Sequence, residues 1–298
     1  MPEAANRLSL PPAAPVHPSA READRPAARS PLVPAARTPL VLGARSLFLI
    51  SWIAPLILLL AWEAFARAGA LSPQVLPAPS KVLVTAWNLI GQGRLLSDLG
   101  ASLLRAAAGF AIGGSLGFAL GTLVGFSRLA EALFDRSVQM VRAVPFLAAL
   151  PLVIVWFGVG EGGKVFLVSL GVLFPIYINT VLGIRQVDPK LLELGRVTGL
   201  SNWTLIRRIV LPGALPSILA GVRYALAVAW LALVIAETIA ANVGIGSLAM
   251  DAREFLQTDV IVLTIVIYAG IGVVSDAIAR ALERRLLAWH PNYAGRGH

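Results

Sequence analysis

From residue 46 onward the chain consists of long apolar runs separated by short polar stretches, on the scale of a membrane crossing rather than of a soluble amphipathic helix. A helix crossing about 30 Å of hydrocarbon needs about 20 apolar residues. Six runs meet that length: Ser46–Ala66, Leu99–Phe126, Met140–Gly158, Gly163–Ile184, Gly213–Ala240 and Val260–Leu282. None shows the strict alternation of a membrane strand, which argues against a β-barrel. The pattern predicts an all-α integral membrane protein of about six transmembrane helices over residues 46–298. Ahead of it, residues 1–45 hold nine of the twenty prolines, mixed with Ala and Arg. Proline fixes φ and removes a donor, so this segment is expected to be a disordered, polyproline-like cytoplasmic tail. It lacks the apolar core and small-residue cleavage site of a secretory signal.

Composition strengthens this picture. The chain is 57% hydrophobic and 14% charged, against about 45–50% and about 25% in soluble domains. The surplus apolar surface must face lipid. A net charge of +9 would suggest nucleic acid as partner on a soluble chain, but here the basic residues report orientation instead. With the N-terminus inside, eighteen Arg and Lys fall on the cytoplasmic side, five outside and two within spans. Both termini are therefore expected in the cytoplasm. The chain has no cysteine, which removes disulfides, thiolate chemistry and Cys-ligated metals. Its three histidines, His17, His290 and His298, all lie in terminal segments, so no metal site is expected.

Within the second run, Gly109, Gly113, Gly117, Gly121 and Gly125 recur every four residues. Such a stripe forms a groove that lets another helix approach to backbone contact, whether for static packing or for a moving or substrate-lining surface. Pro145, Pro151 and Pro175 interrupt the third and fourth runs. The carbonyls they free need protein or water partners, as happens beside a pathway or in helices that simply bend around neighbours. The stretch from Gly158 to Val165 imitates a phosphate-binding loop. Val165 stands where Ser or Thr would hold magnesium, and the flanking segments are membrane spans rather than a strand and a helix. ATP binding by this chain is excluded on that ground.

The most informative polar stretch is the loop of about residues 185–212, between the fourth and fifth runs. It predicts two short helices broken at Gly199, the second capped by Ser201, with Leu205, Ile206 and Ile209 on one face. Pro212 is expected to mark a turn into the fifth span. A capped polar elbow of this kind suits either a protein partner or the lipid headgroup layer. Glu193, Gly195, Gly199, Ile209, Leu211 and Pro212 follow the spacing E-x-G-x-x-x-G-x9-I-x-L-P, which resembles the coupling loop of permease subunits of bacterial ABC importers. The family pattern begins Glu-Ala-Ala, where this chain has Glu193, Leu194 and Gly195. The resemblance implies that the elbow docks on an ATPase subunit, with Glu193 and Gly199 central to the contact.

Further segments are similar to the aliphatic-sulfonate permeases of that binding-protein-dependent transport family: Phe174–Thr180, Arg223–Trp230, Ala236–Asn242, Gly244–Asp259 and Ala288–Pro291. Permeases for taurine, nitrate and vitamin precursors share much of this pattern. Ser247 and Asp251 stand where the sulfonate permeases usually carry an aromatic residue and Asn. The resemblance implies a type I ABC importer permease in the inner membrane that pairs with a second copy of itself. It also implies a cytoplasmic ATPase dimer as partner, and a substrate-binding protein that is periplasmic or lipid-tethered. ATP and Mg would sit on the ATPase, with no cofactor and no covalent chemistry in this chain.

Arg105, Arg223 and Glu237 fall in or near the spans, where charges face protein, water or an interface. Arg223 and Glu237 are fourteen residues apart, about 21 Å along a helix, so they cannot pair with each other. For a sulfonate importer, Arg223, Glu237 and Asn179 are candidate pathway residues. Snorkelling or a structural ion pair is the alternative for the charges.

Overall fold

The computed structural model describes residues 50 and 52–290. The expected tail over residues 1–45 lies outside the described residues. From Ala54 onward the chain forms one compact unit, and its described part is helical throughout, joined by turns.

In chain order the helices are α1 (Ile53–Arg67), α2 (Pro79–Gly91), α3 (Arg94–Phe126), α4 (Arg136–Ala143), α5 (Phe146–Phe157), α6 (Glu161–Arg185), α7 (Pro189–Val197), α8 (Leu211–Ala240), α9 (Ile245–Glu254) and α10 (Thr258–Leu286). A single turn at Arg128–Ala130 and a π-helical turn at Glu131–Asp135 lead into α4. Among the described residues, four helices are long and apolar enough to cross a membrane, or five if α4 and α5 with their lead-in count as one bent span.

One of the six expected spans therefore needs correction. The run Met140–Gly158 is not one helix, because the chain breaks at Val144 and Pro145 and bends by 105°. Pro145 cannot continue a helix, and it holds the preceding residue in extended backbone. Residues 46–49 and 51 of the first run lie outside the described residues, and α1 covers the run from Ile53 onward. Two helices fall outside the expected spans altogether. The first turn of α2 is tied to α1 by Ser80, whose N–H and hydroxyl both donate to Glu63 at 3.0 and 2.8 Å. α9 packs with α2 and α10 through Val82, Ile245, Leu248, Val260 and Leu263.

α6 holds the bundle together, and small residues are the reason. A Cβ on Gly109, Gly117, Gly121 or Gly125 would come within 2.8 Å of Val168, Leu173, Thr180 or Ile184 respectively, and one on Gly113 would overlap the Ser169 backbone. Both partners in this series rise together in number, so α3 and α6 run parallel. On its other side α6 meets α8 in the opposite sense: Gly183 lies against Ala214, and Gly221 of α8 against Asn179. Ala106, Val168, Val172, Ala225, Ala229 and Leu233 fill the space where the three helices converge. Lipid tails are as apolar as these side chains, so close backbone approach and dispersion hold such helices together rather than water exclusion. The parallel arrangement of α3 and α6 also requires residues 128–157 to carry the chain back along the bundle, which the bent α4–α5 segment does.

Candidate functional site

Two constellations of polar residues lie at opposite ends of α8. The first is the elbow. Asp188 caps α7 by accepting from the Lys190 N–H at 2.9 Å, and Pro189 occupies the first helical position, where its missing donor costs nothing. α7 ends at Gly199, whose φ of +78° permits the left-handed closing turn in which the Leu200 N–H reaches the Gly195 carbonyl at 2.9 Å. Gly195 is buried against Leu205 and Ile209, so α7 folds back onto the start of the next helix.

That next helix departs from expectation. Ser201 caps it by accepting from Thr204 N–H at 3.3 Å, but it is not short and Pro212 marks no turn. It runs as one 38-residue span from Asn202 to Ile239. Proline lacks the donor for the carbonyl four residues back and would crowd it. A π-helical turn at Ile206–Val210 relieves this conflict: the Leu211 N–H bonds the Ile206 carbonyl, five residues back, just before Pro212. The second arm of the elbow, from Asn202, is thus an unbroken extension of α8, and α7 folds against it. Its outer surface carries exposed Leu191, Glu193, Leu194, Val197 and Trp203, with Arg207 and Arg208 alongside. Leu211 is exposed, whereas Ile209 and Pro212 are half-buried.

The second constellation is a buried ion network. Glu237, with no exposed side-chain surface, accepts from Ser102 Oγ at 2.7 and 2.8 Å, Arg105 Nη1 at 2.6 Å and the Gly246 N–H at 3.0 Å. Arg105 also donates to the Val243 carbonyl at 2.6 Å and grips Glu161 through two nitrogens. Lys164, itself buried, pairs with Glu161 at 2.9 Å. Asp98 and Ser102 accept the Gly244 and Ile245 N–H groups at 2.9 and 3.0 Å, satisfying the first turn of α9. Gly244, at φ +137°, and Gly246 leave the room that Glu237 occupies.

The sequence-predicted residues are thus distributed as follows. Glu193, Gly195, Gly199, Ile209, Leu211 and Pro212 gather at the elbow. Glu237 is enclosed in the ion network. Arg223 pairs with Asp276 at 2.7 Å, with Glu283 at 3.9 Å, and so joins α8 to α10. Asn179 donates to the Pro175 carbonyl at 2.8 Å, and its own carbonyl accepts from Ser217 at 2.9 Å. The glycine stripe faces α6. The false phosphate loop forms the cap of α5 and the first turn of α6, where Lys164 is committed to Glu161. The partners of Arg105, namely Glu161 and Glu237, were not foreseen. The available signal was that two opposite charges in apolar runs, Arg105 and Glu237, each need a partner across helices.

A family model described as the binding-protein-dependent transport system inner membrane component matches residues 113–288. The chain is 53% identical over 242 residues to an Escherichia coli (strain K12) protein named as an aliphatic sulfonates transport permease, SsuC, covering 81% of this chain and 92% of the relative. It is 44% identical to the Bacillus subtilis (strain 168) protein of the same name, covering 82% and 88%. In fold it is similar to a solved amino acid ABC transporter, with a TM-score of 0.56 at 17% identity over 67% of this chain and 97% of that one. With the family model spanning more than half of its length, the chain belongs to the binding-protein-dependent transport system inner membrane components.

Proposed function

We propose that this chain is the membrane-spanning subunit of an ATP-driven importer of aliphatic sulfonates, working beside a separate ATPase dimer and a substrate-binding protein, with a second copy of itself completing the route. The observation that carries the mechanism is the continuity of the helix from Asn202 to Ile239. A partner seated on Glu193, Gly199 and the exposed Leu194, Val197 and Trp203 would grip α7 and the end of this rod against which Gly195 packs it, and the rod's other end holds Glu237 against Arg105 of α3. The π-turn keeps the rod unbroken across Pro212, so displacement of the elbow reaches the ion network without passing through a flexible joint.

In this scheme ATP and Mg bind on the partner ATPase, whose closure moves the elbows and swings the spans between inward-open and outward-open arrangements. The elbow and both termini are cytoplasmic, the ion network faces the binding protein, and no covalent step takes place in this chain. The substrate class follows the named function of the two sulfonate relatives.

The test is sulfur-limited growth of a strain lacking this permease, with alkanesulfonates, taurine and sulfate supplied separately. Failure on alkanesulfonates alone, restored by the intact gene, is the expected result. Normal growth of the deletion strain on alkanesulfonates, in a background with no second sulfonate importer, overturns the substrate assignment and moves the search to taurine, nitrate or a vitamin precursor.

A further inference from the structure

We infer that the cavity between α4, α6 and α8 is a substrate site within the permease itself, in which Arg142 holds the sulfonate group and Asn179 and Tyr224 complete the polar wall. This rests on the transport reading above and adds where, in this chain, the anion is met. The cavity has a volume of about 440 Å³, within the range of small-molecule sites. Phe174 and Asn179 line it from α6, and Tyr224, Val228 and Leu231 from α8. Phe174 and Tyr224 lie next to the midpoints of their helices. The cavity therefore opens halfway along two membrane-spanning helices, and Arg142 lines it from the last turn of α4, just ahead of the break at Val144–Pro145.

Ionisable groups at such a depth pair with one another or line a substrate route. In the body of the spans Arg105 pairs with Glu237, Lys164 with Glu161 and Arg223 with Asp276, whereas Arg207 and Arg208 at the elbow have no carboxylate partner among the described residues. Arg142 has no hydrogen bond or ion pair among the described residues. Arg142, in the last turn of α4, is thus a free cation that lines the cavity.

The chemistry of the cargo fits. A sulfonate remains ionised at any physiological pH, so it cannot shed its charge to cross a dry region. A guanidinium is equally permanent, and its fork can engage two oxygens at once. Asn179 spends one amide hydrogen on Pro175 and retains a second, and the Tyr224 hydroxyl adds a further donor. Phe174, Val228 and Leu231 supply an apolar wall for the alkyl chain.

The experiment uses the full importer, permease with its ATPase and binding protein, reconstituted in proteoliposomes and supplied with labelled hexanesulfonate. Arg142→Gln should lower uptake on the order of tenfold, the loss of one charge-assisted contact. Co-purification with the ATPase and stimulation by loaded binding protein should persist, and Arg142→Lys should recover part of the uptake. Leu231→Trp, at an exposed position of the apolar wall, should reduce octanesulfonate uptake more than ethanesulfonate uptake, and it decides the matter if Arg142→Gln fails to assemble. Wild-type uptake by Arg142→Gln, or equal loss of both sulfonates in Leu231→Trp, overturns the inference and leaves the transport reading standing. A wild-type complex that takes up no alkanesulfonate overturns that reading, and the inference with it.

Discussion

Arg105 and Glu237 lie 132 residues apart in the chain and meet in a 2.6 Å ion pair with almost no exposed surface on either side chain. The pair fastens the far end of α8 to α3, and Ser102, Val243 and Gly246 take up their remaining hydrogen-bonding capacity. A buried pair of this kind contributes little beyond what a matched apolar pair would, but it is costly to break from one side.

Arg105→Gln should destabilise the protein by about 3–5 kcal/mol, since it leaves Glu237 buried without a cation, and Glu237→Gln should cost less, because Arg105 keeps Glu161. The double replacement Arg105→Gln with Glu237→Gln should cost less than the two single ones combined. Thermal unfolding in detergent of the four proteins in the cycle measures this coupling. Additive losses would show that the two side chains act independently.

Gly113→Ala should prevent α3 and α6 from closing, because its Cβ would overlap backbone atoms of Ser169 that cannot rotate away. Overpacking of this kind costs about 1–3 kcal/mol or more when backbone must shift. Gly100→Ala on the same helix meets nothing within 4 Å and should be neutral or slightly stabilising. Comparing the yield of folded protein and the melting temperature of the two variants separates the packing stripe from a general intolerance of α3.

The elbow glycine offers a different contrast. Gly199 adopts φ +78° with open space around it, so Gly199→Ala carries a backbone penalty of about 1–2 kcal/mol. Gly199→Asn tolerates the left-handed region while adding bulk to the surface. If the partner ATPase docks on Gly199, both variants should lose co-purification with it. Retention by Asn alone would mean that only the shape of the turn matters.

Arg223 sits half-exposed between Asp276 and Glu283, and pairs of that kind contribute about 0–1 kcal/mol. Arg223→Gln should therefore fold, assemble and import at close to the wild-type rate. A severe transport defect in a well-folded Arg223→Gln protein would support the role of this arginine as a pathway residue.

Much of the architecture was legible along the chain because membrane spans are long and their signal is local. The runs Leu99–Phe126, Gly163–Ile184 and Val260–Leu282 fall inside α3, α6 and α10, and the spacing from Glu193 to Pro212 marks the elbow. Local reading failed where a single residue decides between bending and continuing. Pro145 breaks an apolar run that looked continuous, whereas Pro212 sits inside an unbroken helix because the preceding π-turn shifts the hydrogen-bond register. Both are prolines in apolar surroundings, and nothing in the adjacent residue types distinguishes them.

Residue types and their spacing were enough to show that this chain forms a helical bundle in a membrane, that α3 presents a small-residue face, and that residues 188–212 form a capped elbow. Those properties depend on composition and on spacings of a few residues. The tertiary structure alone decided which helix fills the glycine groove, that Arg105 closes on Glu161 and Glu237, and that Arg223 is neutralised while Arg142 is not. Charges in an apolar bundle find partners through the three-dimensional arrangement of helices, across separations of 50 to 130 residues, and no periodicity along the chain carries that information.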